Sequence, residues 1–136
     1  MKLKIITQEK VVYDKEVDAV YTRGIDGEFG ILKGHVPIMT ALDIGVTRAV
    51  IGDETKSFTT MGGILQFKDE ECLILTTLAE AGEEIDEARA RDALERAKRR
   101  LNNAEARIDA KRAEAAIARA EARLKAHLSG ESKLKM

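Results

Sequence analysis

Short runs of alternating apolar and polar positions fill the first 82 residues. Lys2–Thr7 sets Leu3 and Ile5 against Lys2 and Lys4, Val11-Val12-Tyr13 follows, and Val17–Thr22 alternates Val17, Ala19 and Tyr21 with Asp18, Val20 and Thr22. Ile44–Ile51, Ser57–Thr60, Gly63–Phe67 and Glu71–Thr77 continue the pattern. Period-two runs rich in β-branched residues predict strands, and the breaks predict turns. Gly52-Asp53-Glu54 and Lys68-Asp69-Glu70 read as hairpin turns. Gly24, Gly27, Gly30 and Gly34 predict a loop-rich stretch that ends at His35-Val36-Pro37.

Beyond residue 82 the period changes to that of a helix. Ala90, Leu94, Ala97 and Leu101 form a stripe within Ile85–Leu101, and Ile117, Ala120, Leu124 and Leu128 form another within Ala104–Leu128. Asn102-Asn103 is the expected break, Ser129-Gly130 the expected end, and Glu131–Met136 a frayed tail. The stripes are mostly alanine, whose burial gains far less than that of leucine. The two helices are therefore expected to pack weakly on each other and on the β region, as a movable arm does. An ordinary antiparallel hairpin fixed against the β region fits the same pattern.

The predicted fold class is α+β. Residues 1–82 form an antiparallel β-sandwich, and residues 83–136 form a helical hairpin. Composition supports the division: nine of the ten Gly, the only Pro, the only Cys and all five aromatics lie in the first part. The first part carries 9 Lys/Arg against 13 Asp/Glu, a balance of −4, and the second 14 against 11, a balance of +3. The net charge of −1 argues against a dedicated nucleic-acid binder. A single Cys excludes a disulfide framework, and Cys72, beside Leu73-Ile74-Leu75, reads as packing. No apolar run is long enough to span a membrane and no secretory signal opens the chain, so a cytoplasmic protein is expected. No Ser/His/Asp or Cys/His constellation is legible, so no catalytic site is expected.

The candidate chemistry lies in the helical arginines. Asp86 and Arg89 are three residues apart, Arg89 and Arg96 seven, and Arg119 and Arg123 four, so each set shares a helix face. Folding about Asn102-Asn103 brings Arg119 and Arg123 level with Asp86 and Arg89. Forked cationic donors in such a cluster suit a triphosphate, and the helix start near Asp86 adds backbone N–H groups. The plainer alternative is that arginine, a good helix former, pairs with Glu one turn away. No Gly-rich phosphate loop is present, so a ligand site is expected and not a hydrolytic one.

Three segments carry a resemblance. Gly27-Glu28-Phe29-Gly30-Ile31-Leu32-Lys33-Gly34-His35-Val36-Pro37 resembles the G-E-x-G-I-x-P-G-H-x-P segment of the ε subunits of F-type ATP synthases. Met61-Gly62-Gly63-Ile64-Leu65-Gln66-Phe67 is similar to that family's S-G-G-x-L-x-V strand, and Ile85-Asp86-Glu87-Ala88-Arg89-Ala90 to its I/L-D-x-x-R-A motif. The resemblance runs in order from about residue 2 to residue 128; Lys33 stands where the family usually has Pro, and Met61 where Ser is common.

The resemblance implies a non-catalytic subunit of the central rotor stalk of a bacterial proton-translocating synthase. Its sandwich would couple the γ subunit to the c-ring, and its mobile helices would brake ATP hydrolysis by reaching the α/β catalytic head. It would sit peripherally on the cytoplasmic face of the cell membrane, touching the membrane only through the complex. Glu28 is then expected at the c-ring's polar loop and His35 on the neighbouring contact surface; His35 also reads as a histidine bracing the loop before Pro37. By the same resemblance, Glu80, Ile85, Asp86, Arg89, Ala90, Arg96, Arg119 and Arg123 match the positions with which ATP-binding members hold ATP. ATP is expected as a regulatory ligand that favours the folded hairpin, with or without Mg, and no catalytic cofactor is expected. A free-standing nucleotide sensor and a coiled-coil adaptor remain as other readings of the same residues.

Overall fold

The computed structural model describes the backbone of residues 1–134 and the side chains of residues 1–129. Eight strands come first: β1 Lys2–Ile6, β2 Val11–Glu16, β3 Ala19–Gly24, β4 Gly27–Leu32, β5 Ile38–Ile51, β6 Glu54–Lys68, β7 Glu71–Leu75 and β8 Ala79–Ala81. A single 3-10 turn at Gly82–Glu84 leads into α1 Glu87–Asn102 and α2 Arg107–Leu134.

The strands hydrogen-bond in the order β2-β1-β7-β6-β5-β3-β4, with β8 on β6. One continuous ladder makes a two-layered sandwich because β6 serves both layers. Its first half pairs with β8 from Phe58 to Thr60, and its second half with β7 from Ile64 to Lys68. Gly62 and Gly63 mark the change, with φ of 76° and 113°. Gly63 meets a second constraint, because a Cβ there would lie 2.0 Å from the Leu75 carbonyl oxygen. Only glycine satisfies both the positive φ and the close approach. The strands expected at Ser57–Thr60 and Gly63–Phe67 are thus one strand.

The core lies between the layers. Leu3 and Ile5 of β1, Val20 of β3, Ile31 of β4, Phe58 and Leu65 of β6 and Ile74 of β7 are fully buried. Each contributes about 1.5–3 kcal/mol relative to an exposed position. The Tyr13 ring of β2 meets Phe58 edge-on, with centroids 5.0 Å apart, tying the layers together. A row of buried hydroxyls crosses three strands: Thr22 to Thr47 at 2.8 Å and Thr47 to Thr60 at 2.9 Å. Breaking the row would leave buried hydroxyls unpaired, so it favours this register, with Val20 and Thr22 inward and Tyr21 outward. Cys72 is fully buried in the core, and burial pushes its thiol up to about 12.

Three expectations for this region need correction. The sheet is not wholly antiparallel: β1 and β7 run parallel, from Lys2 beside Glu71 to Ile6 beside Leu75. No hairpin joins these distant segments, so nothing forces them antiparallel. The glycine-rich stretch contains a strand, since β4 returns along β3 after a turn at Ile25-Asp26, with Ala19 opposite Leu32 and Gly24 opposite Gly27. Finally, β5 begins at Ile38, before the expected Ile44, because its first turns pair with the second half of β6.

The helices pack through alanine. Ala90 and Ala97 of α1 and Ala113, Ala120, Ala122 and Ala126 of α2 are buried, whereas Leu128, expected on the stripe, is 46% exposed. α2 packs on two sides. Ala118 and Ala122 line a crevice with Gly45 and Val46 of β5, and Ala113 and Ala116 line a groove with α1. A helix that must approach both neighbours closely suits small side chains. The dock is tight at Gly82, where an added Cβ would lie 2.4 Å from the Ala126 carbonyl oxygen. Two boundaries also differ from expectation. The break spans 103–106, and α2 continues past Ser129, whose hydroxyl donates to the Lys125 carbonyl within the helix at 2.9 Å. Fraying of residues 135–136 lies outside the described residues.

Candidate functional site

The proposed ligand residues fall into three groups. At the mouth of the hairpin, Asp86 is the N-cap of α1, its carboxylate accepting from the Arg89 backbone N–H at 3.1 Å. This satisfies one of the free N–H groups at the helix start. The Arg89 side chain is exposed. Ile85 and Ala90 pack with Ala126, Leu124 and Val46, and so fasten this end of the hairpin to β5.

The second group joins α2 to the sheet. The Arg123 Nε donates to Glu80 Oε1 at 2.7 Å, with both side chains about one-third exposed or less. Glu80, on β8, is itself braced: its backbone N–H donates to Thr59 Oγ1 at 3.2 Å, and Thr59 is fully buried. Two further ties lie nearby. Lys125 Nζ is 3.3 Å from Glu28 Oε1, and His127 lies 3.2 Å through Nδ1 from the Gly82 carbonyl and 3.6 Å through Nε2 from Glu87.

The third group is a groove of about 940 Å³ between the helices, running to their turn. Arg96 and Arg119 line it together with Arg99, Arg100, Asn103 and Arg112. Arg96 pairs with Asp92 one turn back at 3.3 Å. Among the described residues, Arg119 has no carboxylate partner.

The expected single cluster at the open end is therefore divided. Arg119 stands with Arg96 toward the turn and not level with Asp86 and Arg89, and Arg123 reaches Glu80. The cause is the connection: a four-residue turn at 103–106 slides α2 along α1 relative to a fold about Asn102-Asn103, so that His127 meets Glu87. Arg99, Arg100 and Arg112 were not singled out in the sequence. The adjacent pair Arg99-Arg100, just before Asn102-Asn103, was the available signal.

Glu28 and His35 are not brought together. Glu28 is the second residue of β4, on the side toward α2, whereas His35 lies three residues beyond the strand's other end. The His35 ring stands edge-on to Phe67 with centroids 5.9 Å apart, and its Nδ1 lies 2.6 Å from the Val36 carbonyl oxygen. Among the described residues no three His, Cys, Asp or Glu side chains converge as metal ligands. Among the described residues no helix is long and apolar enough to cross a membrane.

Comparison with known proteins follows the same division. The family model described as ATP synthase, Delta/Epsilon chain, beta-sandwich domain matches residues 1–82, and that of the long alpha-helix domain matches residues 83–127. The ATP synthase epsilon chain of Carboxydothermus hydrogenoformans is 45% identical over 100 residues, covering 74% of this chain and 75% of that one. The ATP synthase epsilon chain of Dehalococcoides mccartyi is 45% identical over 98 residues, covering 72% and 70%. A chain of the Euglena gracilis mitochondrial ATP synthase OSCP/F1/c-ring assembly superposes with a TM-score of 0.81 at 26% identity, over 93% of this chain and 79% of that one. A chain of the Tetrahymena thermophila mitochondrial ATP synthase central stalk and c-ring shares the fold, with a TM-score of 0.62 at 14% identity over 93% and 95% of the two chains.

Proposed function

The chain belongs to the ATP synthase delta/epsilon family, as an epsilon subunit of the F-type central stalk, and from that premise we propose that its helical hairpin is a nucleotide-governed brake on ATP hydrolysis. The subunit performs no chemistry itself. The β-sandwich couples γ to the c-ring at the cytoplasmic face of a bacterial membrane, and the helices reach the α/β head when they leave the sandwich. Glu28 and the His35 loop contribute to the sandwich's contacts; Glu28 exchanges its Lys125 partner for the c-ring's polar loop.

One observation carries this reading. Guanidiniums needed for a triphosphate are contributed by both helices and oppose each other only while the hairpin is folded: Arg96 from α1 and Arg119 from α2 on one groove. A ligand that bridges them binds the folded form alone and stabilises it by RT ln(1+[ATP]/Kd), about 2.7 kcal/mol at a hundredfold excess over Kd. Holding the whole nucleotide would further draw on Asp86 and Glu80 as acceptors and on Arg89 and Arg123 as donors, which in this structure stand apart from that groove, with Ile85 and Ala90 packed beneath them. Mg, where present, would enter on the phosphates, since among the described residues no protein ligand set converges for it. The 16 and 28 residues of α1 and α2, laid end to end, reach about 65 Å at 1.5 Å per residue, about one and a half times the folded length of about 42 Å that α2 sets. That reach allows an extended arm to run beside γ into the head.

The test is to delete residues 85–136 in the assembled enzyme and measure hydrolysis across ATP concentrations. Hydrolysis at low ATP should rise while synthesis persists. Unchanged hydrolysis at every concentration removes the brake.

A further inference from the structure

We propose that the end of this groove next to the hairpin's turn, beyond the Arg96 and Arg119 pair, is a second anion site, which takes a short free phosphate chain. The proposal extends the nucleotide reading above and stands without it, because its central residues lie outside the set assigned to ATP. Those residues are Arg99 and Arg100 on the last turn of α1, Asn103 in the connection and Arg112 on the second turn of α2. Arg96 and Arg119 continue the same walls toward the middle of the hairpin.

Charge is the first argument. Five guanidiniums line one groove, and among the described residues Arg99, Arg100, Arg112 and Arg119 have no carboxylate within 4.0 Å. Within the groove Arg96 pairs with Asp92, and elsewhere on the helices Arg91 pairs with Glu87 and Arg123 with Glu80. Among the described residues, four of the six helical arginines without a carboxylate partner line this groove, and Arg89 and Arg107 lie outside it. The mutual repulsion of the groove arginines opposes closure of the hairpin, and an anion between them converts it to attraction.

Shape is the second argument. Ala113 and Ala116 line the groove, and side chains this short leave about 940 Å³ open between the walls. Planar forks on facing walls match tetrahedral phosphates, each of which accepts paired N–H bonds. The Asn103 side chain adds amide donors at the closed end. Glu105 and Asp109 also line the groove, so a long polyanion running its length would meet two carboxylates. A short chain can stay on the arginines, which favours an oligophosphate over a nucleic acid.

The experiment titrates the full chain with inorganic tripolyphosphate, ATP and adenosine by calorimetry, at an ionic strength matched with chloride. Tripolyphosphate should bind at one site per chain and slow amide exchange at the turn, and adenosine should not compete with it. Arg99→Gln and Arg112→Gln should each weaken tripolyphosphate roughly ten- to a hundredfold. Arg107→Gln, equally close to the turn but outside the groove, should change it less than about threefold, within the range of a screened surface charge. Helical circular dichroism confirms that each variant is folded. Equal losses at all three positions would show diffuse attraction and overturn the site, as would no binding above the chloride control. ATP binding without tripolyphosphate binding overturns this site and leaves the nucleotide reading intact. Tripolyphosphate binding without ATP binding does the reverse.

Discussion

The sandwich and the hairpin are held together by different means. Between the layers, Phe58, Phe67, Leu3, Ile5, Ile31, Leu65 and Ile74 are buried to 2% exposure or less, and ladders join seven strands in an unbroken path. The hairpin buries alanines at Ala90, Ala97, Ala113, Ala120, Ala122 and Ala126 and adds ties at Arg123–Glu80, Lys125–Glu28 and His127–Glu87. A buried leucine or phenylalanine contributes several times what a buried alanine does. Partly exposed ion pairs add only about a kcal/mol each. The first region is built to stay closed, and the second is close-fitting but separable. The proposed brake needs both properties: a fixed seat, and an arm whose release costs no more than a ligand can supply.

The largest expected effect falls on the seat. Gly63→Ala places a methyl 2.0 Å from the Leu75 carbonyl oxygen at a φ of +113°, with backbone on the far side that cannot give way. We expect a loss of about 3–5 kcal/mol in denaturant unfolding. Gly52→Ala, also at positive φ but with nothing within 4 Å, should cost only about 1–2 kcal/mol. Similar losses at the two positions would show that the close approach to β7 is not a constraint.

Next is the joint between the regions. Gly82→Ala drives a methyl to 2.4 Å from the Ala126 carbonyl oxygen, and relief by shifting α2 should cost about 1–3 kcal/mol of docking. Amide exchange should quicken along α2 and stay slow in β6. If both regions loosen together, they are one cooperative unit and the comparison fails.

The smallest effect concerns Cys72. Its thiol is held protonated up to about 12 by burial in the core, whereas an unfolded thiol titrates near 8.5. Above about pH 9 the unfolded chain binds fewer protons than the folded one, so stability falls as pH rises, by up to about 1.4 kcal/mol per unit. Cys72→Val should flatten that slope in urea titrations at pH 8, 9 and 10. An unchanged slope would place its origin elsewhere.

The same contrast governs what the sequence revealed. Local signals were legible: the turns after Ile51 and Lys68, the helical stripes, and a helix start near Asp86. Non-local choices were not. The parallel pairing of β1 with β7 joins segments about 70 residues apart, and alternation within each strand carries no record of its neighbour. Gly62-Gly63 stands at the break between the strands expected at Ser57–Thr60 and Gly63–Phe67, yet one strand passes through it, because pairing on both sides spans the bend. The candidate site was legible as a set of arginines but not as a geometry. A turn at 103–106, longer than Asn102-Asn103, moved Arg119 beside Arg96 and drew Arg99, Arg100 and Arg112 into the groove.

The central claim is that the arm must leave the sandwich to inhibit. Asp43 on β5 and Glu121 on α2 line one crevice between sheet and arm, so Asp43→Cys with Glu121→Cys can be joined by a short bismaleimide, while buried Cys72 stays out of the reaction. The measurement is ATP hydrolysis by the assembled synthase at low ATP, before and after cross-linking. The account predicts that the tethered enzyme hydrolyses as fast as one lacking residues 85–136, at every ATP concentration. Inhibition that persists undiminished with the arm fastened to the sandwich would contradict it.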